Sequence, residues 1–379
     1  MKLNTLCIHT SDFSDKNYPF GSVTVPIYQT ATFTHPGIGE TTGHNYTRES
    51  NPTRDELEKK ITDLEGAFDT LACTSGMAAI TIMLELFEKG DHIVCSGDLY
   101  GGSVRIFNTV GVKKGIEFTY IEGGKAEDFI KNIKENTKAL FVETPSNPTM
   151  QITDLRAVSK AAKEKGILLI ADNTFLTPYF QRPFEFGFDI VIHSGTKFLS
   201  GHNDTLAGFI SVSNKELSDK LRFSYKSMGV GLSPFDSFLL IRGIKTLSVR
   251  LERQQENAIK IANWLSNHKH ISKVYYVGLK EHEGYEINKS QTTGFGSMIS
   301  FTTDTEERAR DAFSKIKIIS YAESLGGTET LMTFPMIQTH ADVPVEIREK
   351  LGINEKFIRL SVGIEDIDDL ISDLKQALE

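Results

Sequence analysis

Short apolar runs alternate with amphipathic stretches through the first half of the chain. Several intervals between the runs, such as Leu155–Lys165, carry the spacing of an amphipathic helix. This alternation predicts an α/β fold in which a seven-stranded, mainly parallel sheet has helices on both faces. The seven predicted strands are 70–73, 92–96, 118–121, 139–143, 167–171, 189–193 and 208–212.

The N-terminal segment follows another pattern. Residues 1–48 look irregular, yet their segment 23–28 is too apolar for a free tail, so we interpret them as an arm that contacts a neighbouring subunit. Immediately after the arm, Thr53 is followed three residues later by Glu56, and this pairing of a hydroxyl with a glutamate predicts the start of a helix.

The C-terminal third is predicted to form a smaller α+β domain. A long helical pattern over 237–265 leads into it from the last predicted strand. The expected elements beyond that helix are strands at 297–301 and 357–360 and helices at 306–316 and 364–378. The predicted division is an arm at 1–48, a large domain at 49–244 and a C-terminal domain at 245–379.

Composition argues against several classes of protein. Nucleic-acid binding requires a basic surface, whereas this chain has a formal net charge of −8. No window approaches the roughly 18 apolar residues that span a bilayer, and residues 1–15 hold no apolar stretch of signal-peptide length. Three cysteines are too few for a disulfide framework, and Cys73 and Cys95 are predicted to be core thiols. We therefore expect a cytoplasmic protein without nucleic-acid or membrane partners.

Two predicted strands end in groups of complementary chemistry. Lys197 follows the run 189–193, where poor solvation would lower the pKa of its ammonium and expose a nucleophilic amine. Asp172 directly follows the run 167–171, and the carboxyl ends of neighbouring parallel strands form one ligand-binding edge. Pyridoxal phosphate needs an amine for its aldehyde and a carboxylate for its ring nitrogen. An aspartate that merely begins a turn is the alternative for Asp172.

Further polar groups could hold such a cofactor. Gly76 and Met77 lie where a predicted strand passes into a helix, whose free N–H groups attract phosphate. Ser194 and Thr196 add two hydroxyls just before Lys197. Tyr100, beside two glycines, could stack on a flat ring. An ordinary turn and a packed aromatic side chain remain the alternatives.

Arg359 stands within the apolar run 357–360. A buried guanidinium requires an anion, and its fork geometry suits a carboxylate of a substrate. An internal salt bridge is the competing interpretation. His193, His202 and Asp204 match no familiar metal signature, so we expect no metal site.

Eleven short motifs together resemble the Cys/Met-metabolism family of pyridoxal-phosphate enzymes over nearly the whole chain. They are 26–30, 46–48, 51–54, 75–77, 143–148, 172–174, 194–197, 201–204, 242–247, 324–327 and 359–363. The resemblance implies the aspartate-aminotransferase-like fold (fold type I), with the cofactor in the large domain. It also implies a homotetramer built from dimers that share active sites.

The same resemblance implies the roles of individual residues. The implied cofactor-binding residues are Tyr46, Arg48, Gly76, Met77, Tyr100, Asn147, Asp172, Ser194, Thr196 and Lys197. Lys197 and Tyr100 would be catalytic, Lys197 by joining the aldehyde and moving protons. Tyr46 and Arg48 would reach the phosphate of a partner subunit. The implied substrate-binding residues are Glu323, Ser324 and Arg359.

The choice among family reactions rests on few positions. Methionine γ-lyases typically carry a cysteine in place of Gly102 and an aspartate in place of Gly327, which argues against that activity. Glu323 resembles cystathionine γ-synthases and γ-lyases, in which an acid receives a distal amino group. The first hypothesis is γ-replacement of an O-acylhomoserine by cysteine, and the runner-up is a cystathionine γ- or β-lyase. A regulatory protein that binds the cofactor without turnover is a third possibility. Asn203 replaces the commoner serine of its motif, and we link it to no substrate.

Overall fold

The larger of two sheets forms the centre of the structure. The structure is a computed structural model that describes residues 1–11, 18–121, 123–339 and 345–379. Of residues 345–347 only the backbone is described. Residues 12–17 of the predicted arm lie outside the described residues. Within them, the larger sheet comprises β1 Asp69–Cys73, β2 His92–Cys95, β3 Glu117–Tyr120, β4 Thr137–Glu143, β5 Leu168–Asp172, β6 Ile190–Ser194 and β7 Gly208–Val212. Each corresponds to one of the seven predicted strands.

The sheet is mainly parallel, as predicted. Its strand order is β1-β7-β6-β5-β4-β2-β3, and β7 runs antiparallel to both of its neighbours. The other neighbouring pairs are parallel. Phe141 of β4 packs in one apolar cluster, whereas Leu140 and Val142 pack in another on the opposite face. Both faces are therefore covered, and the carboxyl ends of β4, β5 and β6 lie side by side.

Helices flank this sheet and continue into the C-terminal part. They are α1 Leu3–Ile8, α2 Pro52–Glu65, α3 Gly76–Met83, α4 Gly101–Ile106, α5 Ala126–Lys131, α6 Leu155–Lys165, α7 Thr177–Phe180, α8 Lys215–Met228, α9 Pro234–Ile244, α10 Leu247–Ser266, α11 Tyr285–Gln291, α12 Glu306–Lys315, α13 Val345–Lys350 and α14 Ile367–Leu378. None of the described helices is long and apolar enough to cross a membrane.

A smaller sheet organises the C-terminal part, so the predicted α+β architecture is confirmed. Its strands are β8 Ile271–Tyr275, β9 Met298–Thr303, β10 Ser320–Tyr321, β11 Leu331–Thr333 and β12 Phe357–Ser361, in the order β10-β11-β12-β9-β8. Apolar residues of α10 and α14, such as Ile261 and Leu374, pack with Ile299 of β9. The boundaries at 48/49 and 244/245 remain predictions.

Two sequence predictions about helices were wrong in detail. The helix predicted to start at Thr53 is capped by Asn51, whose side chain accepts a hydrogen bond from the Thr53 N–H, with Pro52 in the first turn. The Thr53 hydroxyl instead donates to the Pro26 carbonyl in the arm. The single helix predicted over 237–265 is two helices, α9 and α10, that break at Lys245 and Thr246.

Candidate active site

Lys197 lies in the turn after β6, at the carboxyl edge of the larger sheet. Its side chain crosses to the C-terminal part, where Nζ donates a hydrogen bond of 2.8 Å to Ser324 Oγ. Burial, and then the charge of Arg359, lower the pKa of Lys197 from 10.5 to about 8, whereas Glu323 acts in the opposite direction. The predicted strand-end lysine is therefore a half-buried amine that loses its proton near pH 8.

Two acids end the neighbouring strands β4 and β5. Asp172 pairs in register with Glu143, and its Oδ1 accepts hydrogen bonds from both the main-chain N–H and the hydroxyl of Thr174. Burial raises the pKa of Asp172, while the two Thr174 bonds lower it. Burial, together with the nearby charge of Asp172, raises the pKa of Glu143 well above its usual range. The pair thus favours a single negative charge at this edge.

The turn from β1 into α3 packs directly on the end of β6. Ser75 caps α3 by accepting a hydrogen bond from the Ala78 N–H at 3.1 Å. A Cβ at Gly76 would stand 3.1 Å from Ser194 Cα, so a larger residue would push the two segments slightly apart. The Ser194 N–H donates to the Thr174 hydroxyl, and the Thr196 hydroxyl is bonded to Ala207. The positive end of α3 therefore lies beside Ser194, whereas the Thr196 hydroxyl is held by the Ala207 main chain.

Tyr100, Met77 and Gly102 meet beside this turn. A Cβ at Gly102 would lie 2.4 Å from Tyr100 Cε1 and 3.0 Å from Met77 Sδ. The ring of Tyr100 therefore lies against the first turn of α4, and Tyr100 keeps 40% of its surface exposed. An exposed ring face is what stacking on a flat cofactor requires.

Arg359 lies in β12 with almost its entire surface buried. Its guanidinium donates to Asn147 Oδ1, the Ser324 carbonyl and Thr333 Oγ1, which are all neutral acceptors. Its Nε has no hydrogen-bond partner among the described residues, and none of their ion pairs involves Arg359. Among the described residues, the internal salt bridge considered from the sequence is therefore not formed, and the buried cation is available to an external anion.

Glu323 and Ser324 form the rim of this pocket. Ser324 has a φ of +86°, a left-handed conformation that is rare for a residue with a side chain. Its carbonyl meets Arg359 while its hydroxyl meets Lys197. Glu323 is exposed, and its charge raises the pKa values of both Lys197 and Arg359. Lys197, Ser324, Arg359 and Asn147 consequently form one connected chain of polar contacts.

The predicted phosphate ligands from the arm lie elsewhere on the chain. Tyr46 pairs with Thr32 in an isolated β-bridge and keeps 45% of its surface exposed. The Arg48 guanidinium lies 5.6 Å from the Tyr46 ring centre and donates to the Lys226 carbonyl. Among the described residues, these contacts do not lead to Lys197. A role for Tyr46 and Arg48 in a partner subunit stays a prediction.

Sequence reasoning assigned no role to three residues that contact the site. Thr174 holds Asp172, Thr333 holds Arg359, and Glu143 accepts a hydrogen bond from the Tyr100 main chain. Glu143 and Thr174 belong to recognised motifs, but the partner of Glu143 lies 43 residues away along the chain. His193, considered for metal binding, is fully buried with Nε2 at 2.5 Å from Glu65 Oε1.

Asn203 packs on the loop that carries Ser324. A Cβ at Gly327 would stand 2.2 Å from Asn203 Nδ2, which donates to Glu329 Oε2 at 2.8 Å. Asn203 itself has a φ of +54°, a conformation that asparagine tolerates well. The aspartate typical of methionine γ-lyases at position 327 would therefore require the exposed Asn203 side chain to move in this chain.

Comparison with known proteins gives a consistent result. The family model described as Cys/Met metabolism PLP-dependent enzyme matches residues 4–379. The chain is 47% identical to the cystathionine γ-lyase of Bacillus subtilis (strain 168) over 379 residues, covering 100% of both chains. It is 45% identical to the cystathionine β-lyase of Lactococcus lactis subsp. cremoris (strain MG1363), covering 100% of this chain and 99% of that protein.

Solved structures agree with these relatives. A cystathionine γ-lyase from Lactobacillus plantarum, complexed with L-serine, superposes with a TM-score of 0.96 at 38% identity and covers 100% of this chain and 98% of that one. A cystathionine γ-synthase from Xanthomonas oryzae pv. oryzae, in complex with aminoacrylate and cysteine, gives the same TM-score, identity and coverage. The chain therefore belongs to the Cys/Met metabolism family of pyridoxal-phosphate-dependent enzymes.

Proposed function

We propose that this enzyme cleaves the C–S bond of cystathionine, with γ-elimination as the first candidate reaction. The observation that carries the proposal is the contact of 2.8 Å between the half-buried Lys197 amine and Ser324, whose carbonyl accepts a hydrogen bond from Arg359. An amine beside an anion-binding guanidinium suits the Cα and carboxylate of an amino acid. Curated lyases at 47% and 45% identity support elimination over the γ-replacement preferred from the sequence.

The residues present fit the aldehyde, the ring nitrogen, the ring face and the phosphate of the cofactor. Lys197 would take the aldehyde and Asp172 the ring nitrogen, while Tyr100 would cover a ring face. The N-terminus of α3 at Gly76 and Met77, with the Ser194 and Thr196 hydroxyls, would hold the phosphate. When bound, pyridoxal phosphate supplies an electron sink that stabilises negative charge at the substrate Cα.

The protein's own groups would do the remaining work. Lys197 Nζ loses its proton near pH 8. In its neutral form it would take the Cα proton and later deliver it to the departing sulfur of the substrate. Ser324 Oγ lies within hydrogen-bond distance and would keep the amine aimed at Cα between transfers. A base held in this way reaches effective concentrations of about 10⁵ M or more.

Substrate selection would rest on two charges. Arg359, with Ser324 and Asn147 beside it, would bind the α-carboxylate, and the exposed Glu323 would attract the distal ammonium of cystathionine. γ-Elimination consumes one water and breaks the Cγ–S bond, which yields cysteine, 2-oxobutyrate and ammonia. β-Elimination breaks the other C–S bond and yields homocysteine, pyruvate and ammonia.

A product assay tests the reaction. Purified holoenzyme is incubated with L-cystathionine, and both oxo acids and both thiols are measured over time. Dominant 2-oxobutyrate with equal cysteine supports the proposal. Dominant pyruvate with homocysteine would identify a β-lyase and overturn the first choice.

γ-Replacement is the second candidate, because two solved cystathionine γ-synthase complexes superpose with a TM-score of 0.96 and because Glu323 suits that reaction as well. In it, an O-acylhomoserine and cysteine give cystathionine and the free carboxylic acid. O-acetyl- and O-succinylhomoserine are each supplied with cysteine. Synthesis faster than cleavage would select this candidate, whereas no turnover of any substrate would favour a regulatory cofactor-binding protein.

The assembly is part of the same proposal. Tyr46 and Arg48 of one subunit would complete the phosphate site of a neighbour in a cytoplasmic homotetramer of two active dimers. Their exposure on a single chain supports this arrangement. When an Arg48→Ala variant is mixed with a Lys197→Ala variant and the subunits exchange randomly, about a quarter of the activity should return. About half of the dimers then contain one subunit of each variant, and one of the two shared sites in such a dimer has both Lys197 and Arg48 intact. Mixtures that stay inactive despite exchange would contradict shared sites.

The lowered pKa of Lys197 predicts its chemical reactivity. In protein freed of cofactor, labelling by an amine-directed reagent should be half-maximal near pH 8 for Lys197, against 10.5 for an ordinary lysine. Arg359→Met should move the midpoint upward because a neighbouring cation is removed, and Glu323→Gln should move it downward. Peptide mass spectrometry measures both, with the exposed Lys215 as the internal control. A midpoint above 10 in the parent protein would contradict the burial argument.

We expect the Glu323→Gln variant to lose affinity for cystathionine selectively. An exposed charge pair is worth about 1 kcal/mol, so KM for cystathionine should rise about fivefold while kcat changes little. O-acetylhomoserine lacks the distal ammonium and serves as the control substrate, for which KM should stay within twofold. An equal rise for both substrates would show that Glu323 acts on the pocket as a whole.

A further inference from the structure

Glu143 is a buried carboxyl group to which the proposed reaction gives no task. It is the last residue of β4 and keeps 7% of its surface exposed. Its Oε2 accepts a hydrogen bond of 3.0 Å from the main-chain N–H of Tyr100. Its own main-chain N–H donates to Ser96 Oγ at 3.0 Å, after the end of β2. The side chain thus joins the centre of the large sheet to the residue that precedes α4.

Tyr100 depends on this attachment more than an ordinary aromatic residue would. The two glycines that follow it, Gly101 and Gly102, leave the backbone with wide conformational freedom. Its carbonyl accepts from Ser103 and Val104 within α4, and that helix is six residues long. No hydrogen bond reaches the Tyr100 hydroxyl among the described residues. The bond to Glu143 is therefore the polar contact that fixes Tyr100 to the sheet.

The charges around Glu143 favour the uncharged form of its carboxyl group. Asp172 faces it in register, and Asp98, whose Oδ2 already accepts from Ser146 and Thr149, also acts on it. These neighbours and burial both raise the pKa of Glu143 well above its usual range. An uncharged acid still offers a carbonyl oxygen to the Tyr100 N–H while leaving Asp172 as the charged group at the ring nitrogen. Glutamine offers the same oxygen in nearly the same shape.

We propose that Glu143 is a positioning residue for Tyr100, because its carboxyl oxygen fixes the Tyr100 main chain and so sets where the ring lies relative to Lys197 and Asp172. The inference rests on the proposed function in one respect, the stacking of Tyr100 on the cofactor. Glu143 itself touches neither substrate nor cofactor in this arrangement. It acts through a single main-chain hydrogen bond.

Two variants of similar shape test the proposal. Glu143→Met keeps the volume but leaves the Tyr100 N–H without an acceptor, whereas Glu143→Gln keeps the acceptor. We expect Glu143→Met to bind pyridoxal phosphate about tenfold more weakly and to change the visible circular dichroism of the bound cofactor. Glu143→Gln should match the parent in both measurements, which use the cofactor without substrate. Loss of both properties in Glu143→Gln would overturn the proposal.

A double-mutant cycle shows whether the effect passes through Tyr100. In a Tyr100→Ala background, Glu143→Met should cause no further loss of cofactor affinity, because the ring it positions is absent. An equal loss in both backgrounds would overturn the proposal while leaving the proposed function intact. If Tyr100→Ala alone leaves affinity and the circular dichroism unchanged, the stacking role of Tyr100 fails, and the proposed function must be revised first.

Folding is checked separately. Far-ultraviolet circular dichroism and thermal melting are compared for all variants, and Ser96→Ala is the matched control because it removes the other hydrogen bond of Glu143 without touching Tyr100. Should Glu143→Met fail to fold, Glu143→Asp takes its place, since the shorter acid withdraws the acceptor by one methylene. Tenfold weaker cofactor binding in Glu143→Asp supports the proposal, and parent-like binding overturns it.

Discussion

Replacement of Lys197 by alanine should abolish covalent attachment of pyridoxal phosphate and lower kcat with cystathionine by about 10⁴-fold or more, because the variant loses both the amine that joins the aldehyde and the base held against Cα. Borohydride reduction followed by peptide mapping measures the attachment, and the product assay measures kcat. The parent protein should carry the reduced cofactor on Lys197. A variant that retains above 1% of the parent activity would contradict the proposed role.

The pH dependence of folding stability gives a second test of the Lys197→Ala variant. Folded Lys197 has a pKa of about 8, below the 10.5 of an ordinary lysine, so between these values the unfolded state binds more protons. Stability of the cofactor-free parent should therefore rise with pH across this window, and the cost of the buried ammonium is fully present below pH 8. Lys197→Ala should show a smaller rise than the parent, because Lys60, whose pKa burial also lowers to about 8, contributes to the rise in both proteins. Urea unfolding at pH 7.5 and pH 10 compares the two proteins.

Asp172→Asn is expected to lower kcat by about 10³-fold while leaving cofactor attachment at Lys197 intact. A carboxylate about 4 Å from a cationic ring nitrogen, at an effective dielectric constant near 20, contributes about 4 kcal/mol, or three pK units. Asparagine keeps the shape and the Thr174 bonds but removes the charge that keeps the ring protonated. Steady-state kinetics and the borohydride map make the two measurements.

A graded control separates charge from geometry at this position. Thr174→Val removes the hydroxyl bond to Asp172 Oδ1 and the acceptor of the Ser194 N–H, but leaves the main-chain bond to Asp172. Its loss in kcat should therefore be small, about fivefold. A fall of less than tenfold for Asp172→Asn would show that the carboxylate does not carry the electrostatic role proposed for it.

The sheet was predictable because each strand is a short apolar run bounded by turn residues, as in 167–171 and 208–212. Helix ends were harder, because their signals compete. Asn51 caps α2 while the Thr53 hydroxyl is used by the arm, and neither local spacing nor composition distinguishes the two. The break between α9 and α10 lies close to Gly243, which approaches the Ser200 carbonyl in a contact between distant segments.

The site was predictable where chemistry sits at strand ends and unpredictable where it depends on pairing. Lys197 and Asp172 can be identified because each follows an apolar run. The contact of Lys197 with Ser324 cannot be predicted in this way, because the two residues are 127 positions apart. The neutral partners of Arg359 likewise come from three separate segments, which no spacing rule relates. Glu143 went without a role because its acceptor oxygen serves a main-chain N–H, and main-chain donors carry no sequence signature.

The tight fit around Gly102 limits which variants lie within one mutational step of this enzyme. Because Tyr100 Cε1 and Met77 Sδ already occupy the space a Cβ would need, a codon change to cysteine or alanine would force the tyrosine ring out of place before any new specificity could be gained. Adaptive paths towards relatives with a larger residue here require the side chain of Tyr100 or Met77 to move or to be replaced. Laboratory evolution for such specificity is better begun from paired libraries at these positions than from single substitutions.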